Sequence, residues 1–134
     1  MPSKRSRGDR NNNPGNIRRS FDKWKGLSDA QLDNEFFQFT APCWGVRALA
    51  KILRTYQNKH GLRTVRGIIN RWAPPVENDT NSYAKAVAKA CGVQADDEVD
   101  VNVLLPQLVQ AIIHHENGYH PYSANDLAEW VRLP

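Results

Sequence analysis

At 134 residues, with 40% hydrophobic and 9% aromatic side chains, the chain can bury about two thirds of its unfolded surface, which excludes wholesale disorder and makes one domain the default. Its formal charge of +4 suits an anionic partner such as nucleic acid, an anionic membrane surface or the acidic bacterial wall, without choosing among them. No stretch approaches the roughly 20 apolar residues of a membrane span, and the basic start is not followed by an apolar signal-peptide core.

Much of the positive charge lies in the first nineteen residues, where Lys4, Arg5, Arg7, Arg10, Arg18 and Arg19 face only Asp9. Residues 1–12 are therefore expected to form a flexible basic arm, through which nucleic acid is one conceivable partner, with residues 13–134 as a single domain. Asn11 to Asn16, with Pro14 and Gly15 inside it, is a run of turn formers that cannot be helix interior. Trp24-Lys25-Gly26 and the aromatic run Glu35 to Phe39 follow, and a small antiparallel sheet of two or three strands is expected over 15–40.

The remainder reads as about five helices. Val46, Leu49, Ala50, Leu53 and Tyr56 or Gln57 trace an i, i+3, i+4, i+7 stripe that Gly61 ends. Thr64 caps a shorter helix through Ile68, Ile69 and Trp72, which the Ala73-Pro74-Pro75 run stops. Asp79 or Thr80 caps the next, carrying Tyr83, Ala84, Val87 and Ala90 and closing at Gly92. The acidic connector Asp96 to Asp100 leads to an apolar helix from about Val103 to Asn117, and Ser123 caps a last one through Leu127, Trp130 and Val131. The fold class is thus α+β, mainly helical with a minor sheet near the N-terminus. Cys43 and Cys91 sit alone in apolar helical patterns, without the pair spacing of a zinc or redox site, and read as two buried thiols.

In the apolar helix, positions 105, 109, 112 and 116 share one face, so Glu116 continues a stripe of Leu105, Val109 and Ile112. Burial and the negative end of the helix dipole both oppose a charge there, which is the setting a general acid needs. The competing reading is a surface glutamate on a helix that has already frayed at His114. His114, His115 and His120 raise the question of metal, but adjacent helical histidines point about 100° apart and no His-Glu-x-x-His spacing exists, so neither a metal nor a cofactor is expected.

The run Ala111-Ile112-Ile113-His114-His115-Glu116-Asn117-Gly118-Tyr119-His120-Pro121 resembles the catalytic helix of lytic transglycosylases in the lysozyme superfamily: an apolar pair, two variable residues, Glu-Ser-Gly, an aromatic and a proline. Only Asn117 departs, standing where serine is usual. Asn13 to Ile17, Trp24-Lys25-Gly26, Phe36 to Phe39 and Gly45 to Tyr56 are similar to a second region of that superfamily and of the bacterial glucosaminidases, in rotated order. The resemblance implies a circularly permuted, lysozyme-like domain that cleaves the MurNAc-GlcNAc strand of peptidoglycan with Glu116 as acid. The full pattern, including Arg71 to Thr80 and Tyr83, also resembles small phage virion proteins, which implies a wall-cutting enzyme carried in the particle or present in the host cytoplasm for delivery to the periplasm, acting as a monomer alongside other virion proteins.

A glycosidase with two carboxylates needs the second within about 5–10 Å of the first. Glu77 leads and Glu35 follows, while Asp79 reads better as a helix cap. Asn13, Asn16, Tyr83, Asn117 and Tyr119 are expected to line the sugar site, and Trp24, Trp72 and Tyr122 are further stacking candidates that serve equally well as core. Two other functions compete: a virion structural protein that binds DNA through Arg54, Arg63, Arg66 and Arg71, and a cross-link endopeptidase on the same scaffold.

Overall fold

Side chains that accept from the backbone open most of the helices. The structure, a computed structural model, describes residues 5–76 and 78–134. Helix α1 (Arg7–Arg10) is followed by α2 (Pro42–His60), α3 (Val65–Trp72), α4 (Thr80–Cys91), α5 (Val101–Asn117) and α6 (Ala124–Trp130). Thr64 accepts from the Gly67 amide, Asp79 from Ser82, Asp100 from Asn102 and Ser123 from Asp126, each satisfying a donor that the first turn leaves open. Left-handed glycines at 61, 92 and 118 close α2, α4 and α5. Helix α5 starts two residues before the expected Val103 because Asp100, the last acid of the connector, is its cap.

Helix α5 is the centre of the core. Its Val101, Leu105, Leu108, Val109, Ile112 and Ile113 are all buried, and it packs against α2, α4 and α6. Full burial of each such side chain is worth about 1.5–3 kcal/mol. Buried Gln57 of α2 joins the two longest helices: its Oε1 accepts from the Val101 amide at 2.7 Å, and its Nε2 donates to Asp100 at 3.0 Å. The last turn of the α2 stripe is thereby resolved, with Gln57 in the core and Tyr56 half-buried beside it.

The expected α+β class does not hold, for the described residues are helical with no strand. Where the antiparallel sheet was expected there are two isolated bridges, Arg18 with Phe36 and Leu27 with Phe39. Phe37 and Phe39 do point into the core, as their alternation requires. The pairing is reduced to a few backbone bonds, Arg19 to Glu35, Phe37 to Ile17, Ser28 to Gln38 and Thr40 to Gly26, and side-chain bonds to backbone flank them. Asn13 holds the Ile17 and Phe37 carbonyls, Gln31 holds those of Ser28 and Gln38, and the Gln38 amide donates to Gln31. Short polar side chains compete with sheet pairing for the same groups.

A flexible arm was expected over 1–12; of that span, residues 5–12 are described, and they carry helix α1 and pack against the rest of the chain. Gly8 and Asn11 are buried, and Arg7 grips both oxygens of Asp33 at 2.7 Å and reaches Glu35 at 3.2 Å. The Arg7 guanidinium, helped by Asn11, holds the Asp33 carboxyl well below the usual carboxylate range.

Candidate active site

Glu116 stands on the last turn of α5, half-buried, at the wall of a cleft of about 390 Å³ that Asn16, Arg18, Phe36, Tyr56 and Trp72 also line. The helix phase read from the sequence is the one observed: Leu105, Val109 and Ile112 are buried beneath it. Among the described residues, it is the one carboxylate lining this cleft.

Both carboxylate oxygens are held. Asn16 donates through Nδ2 to Oε1 at 3.1 Å, and the Tyr83 hydroxyl donates to Oε2 at 2.8 Å. Asn16 occupies the left-handed region at φ 52°, which asparagine tolerates better than most residues, and this conformation sits in the turn that ends at Ile17. The opposite orientation of its amide would set oxygen against carboxylate oxygen. Tyr83 is 1% exposed, its ring lies on His115 at a centroid distance of 3.6 Å, and its oxygen accepts from the Trp72 indole at 3.2 Å. Burial first, and then the adjacent Glu116, push the phenol far above its ordinary range, so it remains a proton donor throughout the working pH range.

The other expected site residues are placed differently. Asn13 is fully buried and spends its amide on the Ile17 amide and the Ile17 and Phe37 carbonyls, so it shapes the turn and does not line the cleft. Asn117, expected to bind substrate, donates to the Pro14 and Ile113 carbonyls at 2.8 Å and accepts from Ser6 Oγ at 2.6 Å. Tyr119, likewise expected at the sugar site, donates to Asp9 at 2.7 Å and accepts from the Ser6 amide. These two residues fasten the N-terminal segment to the end of α5. Both sit beside Glu116 in sequence, but neither lines the cleft. Gly8 permits the approach: a Cβ there would stand 2.7 Å from Asn117 Oδ1 and 2.9 Å from both the Asn13 carbonyl and Asn16 Oδ1.

Glu77, the expected second carboxylate, lies outside the described residues. Glu35 is exposed and bonded to Arg7, with Arg18 at 3.7 Å, and does not line the cleft. Asp79 caps α4. His114 stacks on His120 and His115 on Tyr83. Cys43 and Cys91 are free thiols, both half-buried.

Ile52, Tyr56, Phe36 and Arg18 were missed as cleft walls. Ile52 and Tyr56 are four apart on α2 and flank its core stripe, which is the signal that could have found them. Arg71 lies over the Tyr56 ring at 5.4 Å, on the side of α3 that leads to Trp72.

The fold and site together define a small all-helical domain with one glutamate clamped at the wall of an aromatic cleft. The chain belongs to a family that includes a phage protein: it is 41% identical over 131 residues to "Protein P5" of Pseudoalteromonas phage PM2, across 93% of this chain and 81% of the relative. No family model matches the sequence. Among the described residues, no helix is long and apolar enough to cross a membrane.

Proposed function

We propose that this phage-family protein degrades peptidoglycan, cutting the MurNAc-GlcNAc glycan strand as a lytic transglycosylase or muramidase, with Glu116 as acid and base. The observation that carries this reading is the double clamp on Glu116 inside an aromatic cleft. A carboxylate whose oxygens each accept one hydrogen bond is fixed in space, yet each oxygen retains a lone pair for a transferable proton. Trp72 lines the cleft with Phe36 and Tyr56, whose rings carry Arg7, Arg18 and Arg71 over them, and this mixture of aromatic and cationic groups suits an acidic sugar polymer. The sequence resemblance of residues 111–121 to a transglycosylase catalytic helix adds to this.

In the reaction, protonated Glu116 gives its proton to the glycosidic oxygen as the bond to the anomeric carbon breaks. The carboxylate then takes the proton of the hydroxyl that attacks that carbon. Since Glu116 can give the proton and then take one back, the attacking group we favour is the sugar's own hydroxyl, which closes an anhydro ring. A water activated by a second carboxylate would give a reducing end instead. Family membership with a phage protein suits action from the particle, or on the host wall at release.

The test is clearing of purified peptidoglycan by the wild type and by Glu116→Gln, which keeps the shape and removes the proton donor. Clearing by the wild type and not by a folded variant supports the assignment. Mass spectrometry of the products then separates anhydro-muramic ends from reducing ends, and new amino groups would identify a peptidase. Equal clearing by both refutes Glu116, and clearing by neither removes the enzyme reading.

A further inference from the structure

Three groups form a directed chain from the cleft wall through the interior to the carboxylate. An indole N–H can only donate, and a phenol has one proton. With Trp72 Nε1 donating to the Tyr83 oxygen, the phenol proton has Glu116 Oε2 as its acceptor, and the chain runs Trp72 to Tyr83 to Glu116 in that direction alone. Hydrogen bonds in series polarise one another, so the indole strengthens the bond that the phenol makes. Tyr83 is buried and backed by His115, beyond the reach of a ligand. Trp72 is half-buried and lines the cleft beside Pro74. It therefore meets both the cleft and the donor that holds Glu116.

We propose that Trp72 is a positioning residue with two separable roles: its ring borders the space that a sugar fills, and its N–H fixes Tyr83 as the donor to Glu116. A single side chain thus touches both the cleft and the donor that sets the acid. This rests on the glycan-cleaving reading for its kinetic consequences, while the hydrogen-bond chain stands apart from it.

Two variants separate the roles. Trp72→Phe keeps an aromatic face and removes the N–H, whereas Trp72→Ala removes both. On purified glycan strands, Trp72→Phe is expected to lower kcat about tenfold with KM within about twofold, and Trp72→Ala to raise KM about tenfold as well. The spectroscopic readout is the indole N–H resonance of Trp72, assigned by its disappearance in Trp72→Phe. It is expected to move in Tyr83→Phe and in Glu116→Gln. An unmoved resonance in both variants overturns the chain, and an unchanged kcat in a folded Trp72→Phe overturns its role in the reaction. If the wild type cuts no glycan, the proposed function fails and the resonance alone decides whether the chain exists.

Discussion

Asn13→Ala should cost stability and leave the cleft's affinity unchanged. The side chain is fully buried and makes three hydrogen bonds of 3.0 Å, two to the Ile17 backbone and one to the Phe37 carbonyl. The Ile17 carbonyl also accepts from the Phe37 amide, so it keeps a partner after truncation. The Ile17 amide and the Phe37 carbonyl lose the partner that Asn13 gives them. Each buried polar group left unsatisfied costs about 1–3 kcal/mol, so the loss should fall at about 2–6 kcal/mol. That is a large part of the roughly 5–15 kcal/mol that stabilises a typical domain. The midpoint of thermal unfolding should drop by about 10 °C, read by circular dichroism and checked by urea denaturation for an unchanged slope. Binding of glycan strands to the folded fraction should stay within about twofold. A loss below about 0.5 kcal/mol together with a raised KM would show that Asn13 serves the ligand and that the buried turn has been misread.

Gly8→Ala should act at a distance, because its Cβ would press on Asn117, on the Asn13 carbonyl and on Asn16, whose amide holds Glu116; we expect a loss of about 1–3 kcal/mol, as for other overpacked sites, and a fall in wall clearing, and unaltered clearing would break the link. Arg7 holds Asp33 low, so this pair stabilises the fold above the unfolded carboxylate range and loses its contribution as pH falls from about 4 toward the folded value. Melting temperature should thus be insensitive to Asp33→Asn substitution in its pH slope above pH 5, and the substitution should flatten the decline below about pH 4. Burial pushes the Cys91 thiol up to about 11, so a thiol reagent at pH 8 should label it slowly in the native protein and rapidly in urea; equal rates would place it on the surface.

What the sequence made legible was local. Capping signals at Thr64, Asp79 and Ser123 and the glycines at 61, 92 and 118 act within one turn, and the helices start and stop at them. The phase of α5 likewise puts Glu116 above buried Leu105, Val109 and Ile112 from the spacing alone. The segment from 11 to 40 misled for a physical reason. Its Phe37 and Phe39 alternate as a strand's would, but inward pointing does not set how far backbone pairing extends: a few cross-strand bonds form, and Asn13 and Gln31 take neighbouring carbonyls. Trp72 was equally open as platform or core, because its role depends on a bond to Tyr83 across the loop between α3 and α4. Asn117 and Tyr119 were assigned to the ligand by their nearness to Glu116 in sequence, whereas the groups that claim them lie more than a hundred positions away.

Those distant partners bear on the proposed chemistry. Glu116 is the second-last residue of its helix, in the turn where intrahelical bonding runs out and fraying begins. A carboxylate there would wander by more than proton transfer tolerates, since catalytic groups need placement to within about 0.5 Å. Gly118 closes the turn by donating to the His114 carbonyl, and Asn117 ties it to Pro14 and Ser6, while Tyr119 reaches Asp9 just beyond it. The segment that reads as a solvated basic arm therefore supplies the rigidity that the helix end lacks. The turn that follows it then delivers, through Asn16, one of the two donors to the carboxylate itself. The clamp on Glu116 is in this way assembled from both ends of the chain, with residues 5–16 closing over the end of α5 and Tyr83 of α4 supporting it from within.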